Sequence, residues 1–495
     1  MKETIFLTNE LKNLFSSGDF FSIAENIEGE VFRKTANRIT KEFTFKGSRY
    51  FIKLHYGVGW KEIFKNIFKF RAPTIGASPE WKALKKLSSL GIECPEPVGF
   101  YSSGINPANL RSFLITRSLI NTISLEEALK KRKFQKLSFS KKREFIEKIA
   151  LISRNLHNSG INHRDYYLCH FHVDKDMDVN KRIYLIDLHR AQLRSSVPAR
   201  WASKDIGGLI HSAMGFDLSE KDFYRFMRTY LQCSIKESLQ AHSAFLETTR
   251  NRAFRMFMNP ILKEINIKDE ERESSDYITG KGEGRRWIAK KQFFNEGLSE
   301  VISNPDEFMS KGEEVKFEAG NHVVGLDLPN HSIFIKKFQI KGVFHYLRKF
   351  FSPTRAITAW KATHWLNAAG IKTINALAVI ETYDSFTTRE SYLITLKQSG
   401  ERLDQMKITE SLEKLIPNKM GALIKRLSWI GFNHGDAKGS NFFFDKNSLI
   451  VSDLDACKRR YFQAILANKL AKDKKRILRS FENYLKVKES LLRRF

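Results

Sequence analysis

Short apolar runs and amphipathic stretches alternate along the chain in a regular order. Tyr50-Phe51-Ile52-Lys53 and Ser112-Phe113-Leu114-Ile115-Thr116 have the length and continuity of strands. From Pro79 onward, Trp81, Leu84 and Leu87 recur at the spacing of one helix face, with Glu80 in the first turn. Phe145, Ile149, Ile152 and Leu156 mark a second amphipathic helix, and Ile183-Tyr184-Leu185-Ile186 another strand-like run. The pattern predicts a small β-rich lobe followed by a helical lobe.

The same plan then returns. Tyr50-Phe51-Ile52-Lys53 matches Ile333-Phe334-Ile335-Lys336, Ser112–Thr116 matches Ser391–Thr395, Asn162-His163-Arg164-Asp165 matches Asn433-His434-Gly435-Asp436, and Ile186-Asp187-Leu188 matches Ser452-Asp453-Leu454. The separation between partners shortens slowly and in one direction, as loop shortening would make it, so the chain reads as two copies of one domain. Between them, residues 259–300 hold Asn259-Pro260, the charged KDEERESSD and the glycines of TGKGEG, the composition of an exposed linker. The expected organisation is a first domain over 1–258, a linker over 259–300 and a second domain over 301–495.

The repeated residues suit phosphoryl transfer. A strand lysine paired with a helix glutamate, Lys53 with Glu80, would hold an ammonium against the α- and β-phosphates of ATP. Phosphoryl transfer also needs a carboxylate to deprotonate the acceptor hydroxyl, here Asp165, and another at a strand end to hold Mg²⁺, here Asp187. The second copy offers Lys336 as clamp, Asp436 as base, and Asn441 and Asp453 as oxygen ligands for Mg²⁺, within His434-Gly435-Asp436-Ala437-Lys438-Gly439-Ser440-Asn441. Singly, each has a plain alternative: a strand-ending lysine is a solvated strand end, and His-Gly-Asp a turn capped by Asp. Together and repeated, they resemble the order of protein kinases, and the expected fold class is α+β, two tandem protein-kinase-like domains, each a β-rich lobe plus a helical lobe.

A narrower resemblance rests on longer stretches. FIKLHYGVGWKEIFKN, PEWKAL, SGINHRDYYLCHFHV and YLIDLHRAQL resemble the lipopolysaccharide core heptose kinases of the WaaP/RfaP type, over residues 20–258. ITAWKATHWLNAAGIKT and FNHGDAKGSNFFFDKNSLIVSDLDA are similar to the wider lipopolysaccharide kinase group, over 315–465. The resemblance implies a Gram-negative cytoplasmic enzyme that uses ATP and Mg²⁺ to phosphorylate a heptose hydroxyl of the lipopolysaccharide inner core. Its partners would be the core oligosaccharide acceptor and the anionic surface of the inner membrane, to whose cytoplasmic face it would be peripheral, and not nucleic acid.

Both copies depart from the kinase pattern. Five residues after Asp165 stands His170, which the heptose kinases share where protein kinases have Asn; because Mg²⁺ favours oxygen, its expected role is to orient the loop. Ala359 occupies the place of Glu80 in the second copy, so Lys336 lacks its partner or takes one from elsewhere. Gly29-Glu30-Val31 is the only candidate for a phosphate-covering turn. Asp205 resembles the helix-start aspartate that holds the catalytic-loop backbone in this fold, against the alternative of an ordinary N-cap.

Gly59 to Arg71 carries Trp60, Ile63, Phe64, Ile67 and Phe68 at helical spacing, with Lys61, Lys65, Lys69 and Arg71 elsewhere around the turn. The apolar face is expected to pack on the small lobe, the competing reading being docking on an anionic membrane. Phe344, Leu347 and Phe351 with Arg348 and Lys349 echo it, and the later run KLAKDKKRILRS reads as a solvated helix face. Lys and Arg number 84 against 55 Asp and Glu, a net charge of +29 over 495 residues. That field attracts nucleotides, nucleic acid or anionic membranes and disfavours cationic aminoglycosides as substrates. Four scattered cysteines without a CxxC pair indicate neither a disulfide framework nor zinc. MKETIFLTNELKNLF lacks the apolar stretch of a signal peptide, and a cytoplasmic location is expected. Two other readings stand at this point: one copy is a pseudokinase that serves as a binding scaffold, or the protein is a protein kinase.

Overall fold

The computed structural model describes residues 3–15, 18–68, 75–216, 220–267, 272–282, 284–318, 321–339, 353–384 and 387–495. The chain divides into two compact units, Met1–Met256 and Phe257–Phe495, each mixing helix and strand. Among the described residues the first is built on a six-stranded antiparallel sheet. Its order is Glu3–Leu7, Pro97–Ser103, Arg111–Arg117, Ser48–His55, Arg38–Phe45 and Glu30–Thr35. Alternation along Ser48–His55 buries Tyr50, Ile52 and Leu54 against Phe113, Ile115 and Phe43. Lys53 is left on the opposite face, opposite Leu114 in the ladder. The helix Ser78–Ser89 starts with Pro79 in its first turn and buries Trp81, Leu84 and Leu87 as their spacing predicts. Longer helices, Phe139–Asn158 and Ala199–Ala213, make up much of the second half of this unit.

The second unit repeats the sheet order and extends it. Its eight strands run Arg272–Glu273, Tyr277–Gly282, Arg285–Lys290, Ala376–Asp384, Thr387–Leu396, His331–Gln339, Asn321–Leu328 and Glu313–Glu318. Arg285–Lys290 thus pairs with Ala376–Asp384 just as Glu3–Leu7 pairs with Pro97–Ser103. This corrects the linker expected over 259–300. Asn259 and Pro260 lie inside the helix Ser243–Ile265, and Gly280, Gly282 and Gly284 belong to a hairpin and its turn. Ile288 and Ala289 are completely buried, beside Leu298 and Val301 of the helix Glu296–Ser303. The expected phosphate-covering turn at Gly29-Glu30-Val31 also changes. Gly29 sits before the strand Glu30–Thr35, where a Cβ would come within 2.3 Å of the Glu42 carbonyl oxygen, so a close backbone approach accounts for the glycine. The turn joining that strand to the next is Ala36-Asn37 instead.

The amphipathic helix spans Gly59–Phe68, and only Ile63 among its apolar residues is buried, at 4% exposed. Trp60, Phe64, Ile67 and Phe68 are 49%, 50%, 53% and 82% exposed, so the face expected to pack on the lobe faces outward. Lys69, Arg71 and the echo formed by Phe344, Leu347, Arg348, Lys349 and Phe351 lie outside the described residues. Among the described residues no helix is long and apolar enough to cross a membrane.

Buried imidazoles make both units sensitive to acid. Burial pushes His55 down to about 3 and His364 down to about 4, and Nε2 of each has no hydrogen-bond partner among the described residues. Each stays neutral in the fold yet takes up a proton in the unfolded chain once pH falls below its ordinary value of 6.5. The unfolded state then binds more protons, so each removes up to about 1.4 kcal/mol of stability per pH unit as pH falls from there toward the folded value. Urea midpoints are expected to drop steadily from about pH 7 to about pH 5; a flat profile would contradict the burial of these rings.

Candidate active site

The strand lysine, the helix glutamate and the second aspartate of the first unit meet at one point. Lys53 Nζ donates to Glu80 Oε1 at 2.6 Å and to Asp187 Oδ1 at 3.1 Å. Burial works against the ammonium, but the charges of Glu80 and Asp187 outweigh it and raise the Lys53 pKa above its ordinary value. Burial likewise opposes the Asp187 carboxylate. The His189 hydrogen bond at 2.9 Å and the Lys53 charge outweigh it and hold this group far below the usual carboxylate range. Asp187 has φ +61°, a left-handed backbone that costs a non-glycine residue on the order of 1–3 kcal/mol. Asp453 repeats it at φ +52°.

The Asp165 loop is held from several sides. Asp205 lies within the helix Ala199–Ala213 rather than at its N-cap, which is Pro198, and its buried carboxylate accepts from His163 N at 2.6 Å and Arg164 N at 2.9 Å. The His163 ring contacts the Ile186 carbonyl at 3.0 Å, tying the loop to the residue before Asp187. His170 Nδ1 lies 2.6 Å from the Asp165 carbonyl; a carbonyl only accepts, so this nitrogen carries the hydrogen. Its Nε2 lies 3.7 Å from Asp187 Oδ2. Arg190 pairs with Asp165 Oδ1 at 2.6 Å.

The second unit reproduces much of this constellation. Asn441 Nδ2 donates to the Asp436 carbonyl at 2.7 Å, the bond that His170 makes in the first unit, which is why either side chain can close the loop. His434 contacts the Ser452 carbonyl at 3.0 Å. Lys336 Nζ bonds Asp453, whose pKa is lowered because Lys336, His434 and Arg355 outweigh the effect of burial. Ala359 is buried and offers no carboxylate; one turn earlier on its helix, Arg355 instead binds Asp455, which lies 4.0 Å from Lys336 Nζ. Asp455 therefore stands near the lysine as Glu80 does in the first unit, at a longer distance.

Arg190, His189, Arg355, Asp455 and Asp473 were not singled out from sequence. Asp473 is the counterpart of Asp205: completely buried, it accepts from His434 N at 2.8 Å and Gly435 N at 3.1 Å. It lies in KLAKDKKRILRS, where Leu470, Asp473 and Ile477 are buried, so that run is not a solvated face throughout. Extending the repeat would have found it, because Lys204-Asp205 aligns with Lys472-Asp473.

Mg²⁺ takes oxygen ligands. The carboxylates of Asp187 and Asp453 and the amide oxygen of Asn441 fit it, whereas the imidazole of His170 does not and serves the loop.

A profile of the lipopolysaccharide kinase (Kdo/WaaP) family matches residues 24–230 and 330–493. The chain belongs to this family. A lipopolysaccharide core heptose(I) kinase WaaP of Escherichia coli (strain K12) is 37% identical over 253 residues, which are 50% of this chain and 96% of that protein. The Pseudomonas aeruginosa enzyme of the same name is 34% identical over 256 residues, 51% of this chain and 96% of that protein. These alignments lie in the first half of the chain. A solved structure described as WaaP in complex with acyl carrier protein is 30% identical, covers 51% of this chain and 99% of its own, and superposes with a TM-score of 0.45. Both segments of the family match contain a lysine-bonded aspartate and an Asp165-type loop, so membership and geometry coincide in each unit.

Proposed function

We propose that each unit is a kinase-like domain and that the chain transfers the γ-phosphoryl group of ATP to heptose hydroxyls of the lipopolysaccharide inner core. The observation that carries this reading is the Lys53 ammonium held between Glu80 and Asp187 beside a braced Asp165 loop. Lys53 and Lys336 position the α- and β-phosphates. Asp187 in the first unit, and Asn441 with Asp453 in the second, would hold Mg²⁺, which when bound neutralises charge developing on the phosphates. Asp165 takes the proton of the sugar hydroxyl as that oxygen bonds to the γ-phosphorus. The bond from this phosphorus to the bridging oxygen breaks, and ADP leaves. Asp436 does the same in the second unit at another sugar position; the scaffold reading of that unit draws on the presence of Arg355 and Ala359 where the first unit offers Glu80. Core oligosaccharide from cells lacking the gene is expected to lose phosphate that the wild-type gene restores, by mass spectrometry. Restoration by a folded Asp165→Asn, Asp436→Asn double variant would defeat the enzyme reading.

The acceptor is membrane-borne, so we place the enzyme at the cytoplasmic face of the inner membrane. The outward Trp60, Phe64, Ile67 and Phe68 with Lys61 and Lys65 suit an anionic surface, apolar groups entering the interface and ammonium groups meeting lipid phosphates. Sedimentation with vesicles is expected to favour anionic over neutral lipid and to weaken with salt. A Trp60→Ser, Phe64→Ser variant that pellets as well as wild type would remove the helix from this role.

A further inference from the structure

The second unit contains a cavity of about 610 Å³ beside the Asp436 loop, and its wall is strongly basic. Arg355, Lys458, Arg460, Lys469, Lys472 and Arg476 all line it. Its two acidic residues are already engaged: Asp455 by Arg355, and Asp473 by the backbone amides of His434 and Gly435. Arg460 is anchored on Asn433 Oδ1 at 2.8 Å, and Arg476 on the Gly435 carbonyl. Lys458, Lys469 and Lys472 have no carboxylate within ion-pairing distance among the described residues. Three uncompensated ammonium groups around one concavity repel one another, and an oxyanion between them relieves that repulsion.

The first unit handles the corresponding place differently. In the strand ladder Gln192 faces Asn162 where Lys458 faces Asn433. Counting back from the paired Asp205 and Asp473, Trp201 stands where the second unit has Lys469. The Trp201 indole is covered by Arg194, Arg200 and Lys204, at 5.2, 5.1 and 4.0 Å from its ring. The second unit thus puts Lys458 in the place of Gln192 and Lys469 in the place of the tryptophan on which the first unit stacks its cations, adding two ammonium groups and removing the ring.

Lys336, Asp436, Asn441 and Asp453 do not line the cavity, so its wall is distinct from the groups given to the transferring phosphate, although it adjoins them through Gly435 and through Asp455, 4.0 Å from Lys336 Nζ. We infer that it binds a phosphomonoester already present on the acceptor saccharide, and so directs the second unit to a sugar chain that has been phosphorylated once. The acceptor assignment rests on the kinase reading; the binding of phosphate does not. A phosphomonoester is the group that a first round of transfer leaves behind, and its dianion matches clustered Lys and Arg donors.

The test begins with inorganic phosphate titrated calorimetrically into the full chain at constant ionic strength. A Lys458→Ala, Lys469→Ala, Lys472→Ala variant is expected to bind it at least about tenfold more weakly, and Lys336→Ala to bind it as wild type does. Unchanged affinity in the triple variant overturns the proposal, as does equal loss in Lys336→Ala, which would place phosphate at the nucleotide clamp. Since no turnover is needed, this result stands apart from core phosphorylation. In assays with the first unit silenced by Asp165→Asn, the triple change is expected to raise KM for phosphorylated core about tenfold more than for phosphatase-treated core. Equal KM effects on the two acceptors would make free phosphate the occupant and overturn the acceptor assignment.

Discussion

Asp165→Asn is expected to lower phosphate transfer by the first unit about 10²–10⁴-fold, the range for losing a positioned general base. The amide has the shape of the carboxylate and can still meet Arg190, which now approaches Asp165 Oδ1 at 2.6 Å, but it does not take the hydroxyl proton. The bonds that brace the loop run from His170 to the main-chain carbonyl of Asp165 and from the two preceding amides to the Asp205 carboxylate, so they survive the change. Folding should therefore be preserved while core phosphate is lost. Asp436→Asn, made separately, is expected to remove a different phosphate. If every phosphate persists in a folded Asp165→Asn protein, the base is assigned to the wrong copy. If Asp436→Asn leaves the wild-type pattern and Lys336→Ala leaves nucleotide binding unchanged, the second unit is a scaffold.

The largest effect on stability is expected from the two aspartates that hold the loops. Asp205→Ala strands the amides of His163 and Arg164 and removes a neighbour of His157, whose Nε2 lies 3.3 Å from Asp205 Oδ2. Asp473→Ala strands those of His434 and Gly435. Each unsatisfied buried group costs about 1–3 kcal/mol, so with two amides stranded a loss of about 2–6 kcal/mol is expected for each variant, a large part of the stability of an ordinary domain. Asp205 should be the more costly of the two because of its contact with His157. Chemical denaturation measures this, and Asn in place of Ala, which keeps one acceptor, should recover part of the loss. A change below about 0.5 kcal/mol, the level of an inert surface substitution, would show that these carboxylates do not hold the loops.

Asp473 also shows where sequence reading stops. Lys53, Glu80, Asp165, Asp187, Lys336, Asp436, Asn441 and Asp453 could be singled out because the proposed phosphoryl transfer demands particular functional groups in a particular order, and the chain presents that order twice. The helix Ser78–Ser89 was legible from its periodicity, since the face it buries is set by residues close together in sequence. Asp473 was not, because a carboxylate amid Lys472, Lys474 and Lys475 looks solvated until a loop from elsewhere in the chain delivers two amides to it. The hairpin over Tyr277–Lys290 looked like a linker for the same reason: its glycines and charges describe its turn and outer face, whereas its burial comes from Ala376–Asp384, nearly a hundred residues later. Sequence alone determined the repeat, the chemical groups and the family. Only the tertiary structure decided which helix face stays open at Trp60 and Phe64, that Asp455 and Arg355 stand near Lys336 in place of a helix glutamate, and that the second unit keeps an uncovered basic cavity. Burial and pairing belong to segments brought together in space, and local composition carries no record of which segment arrives.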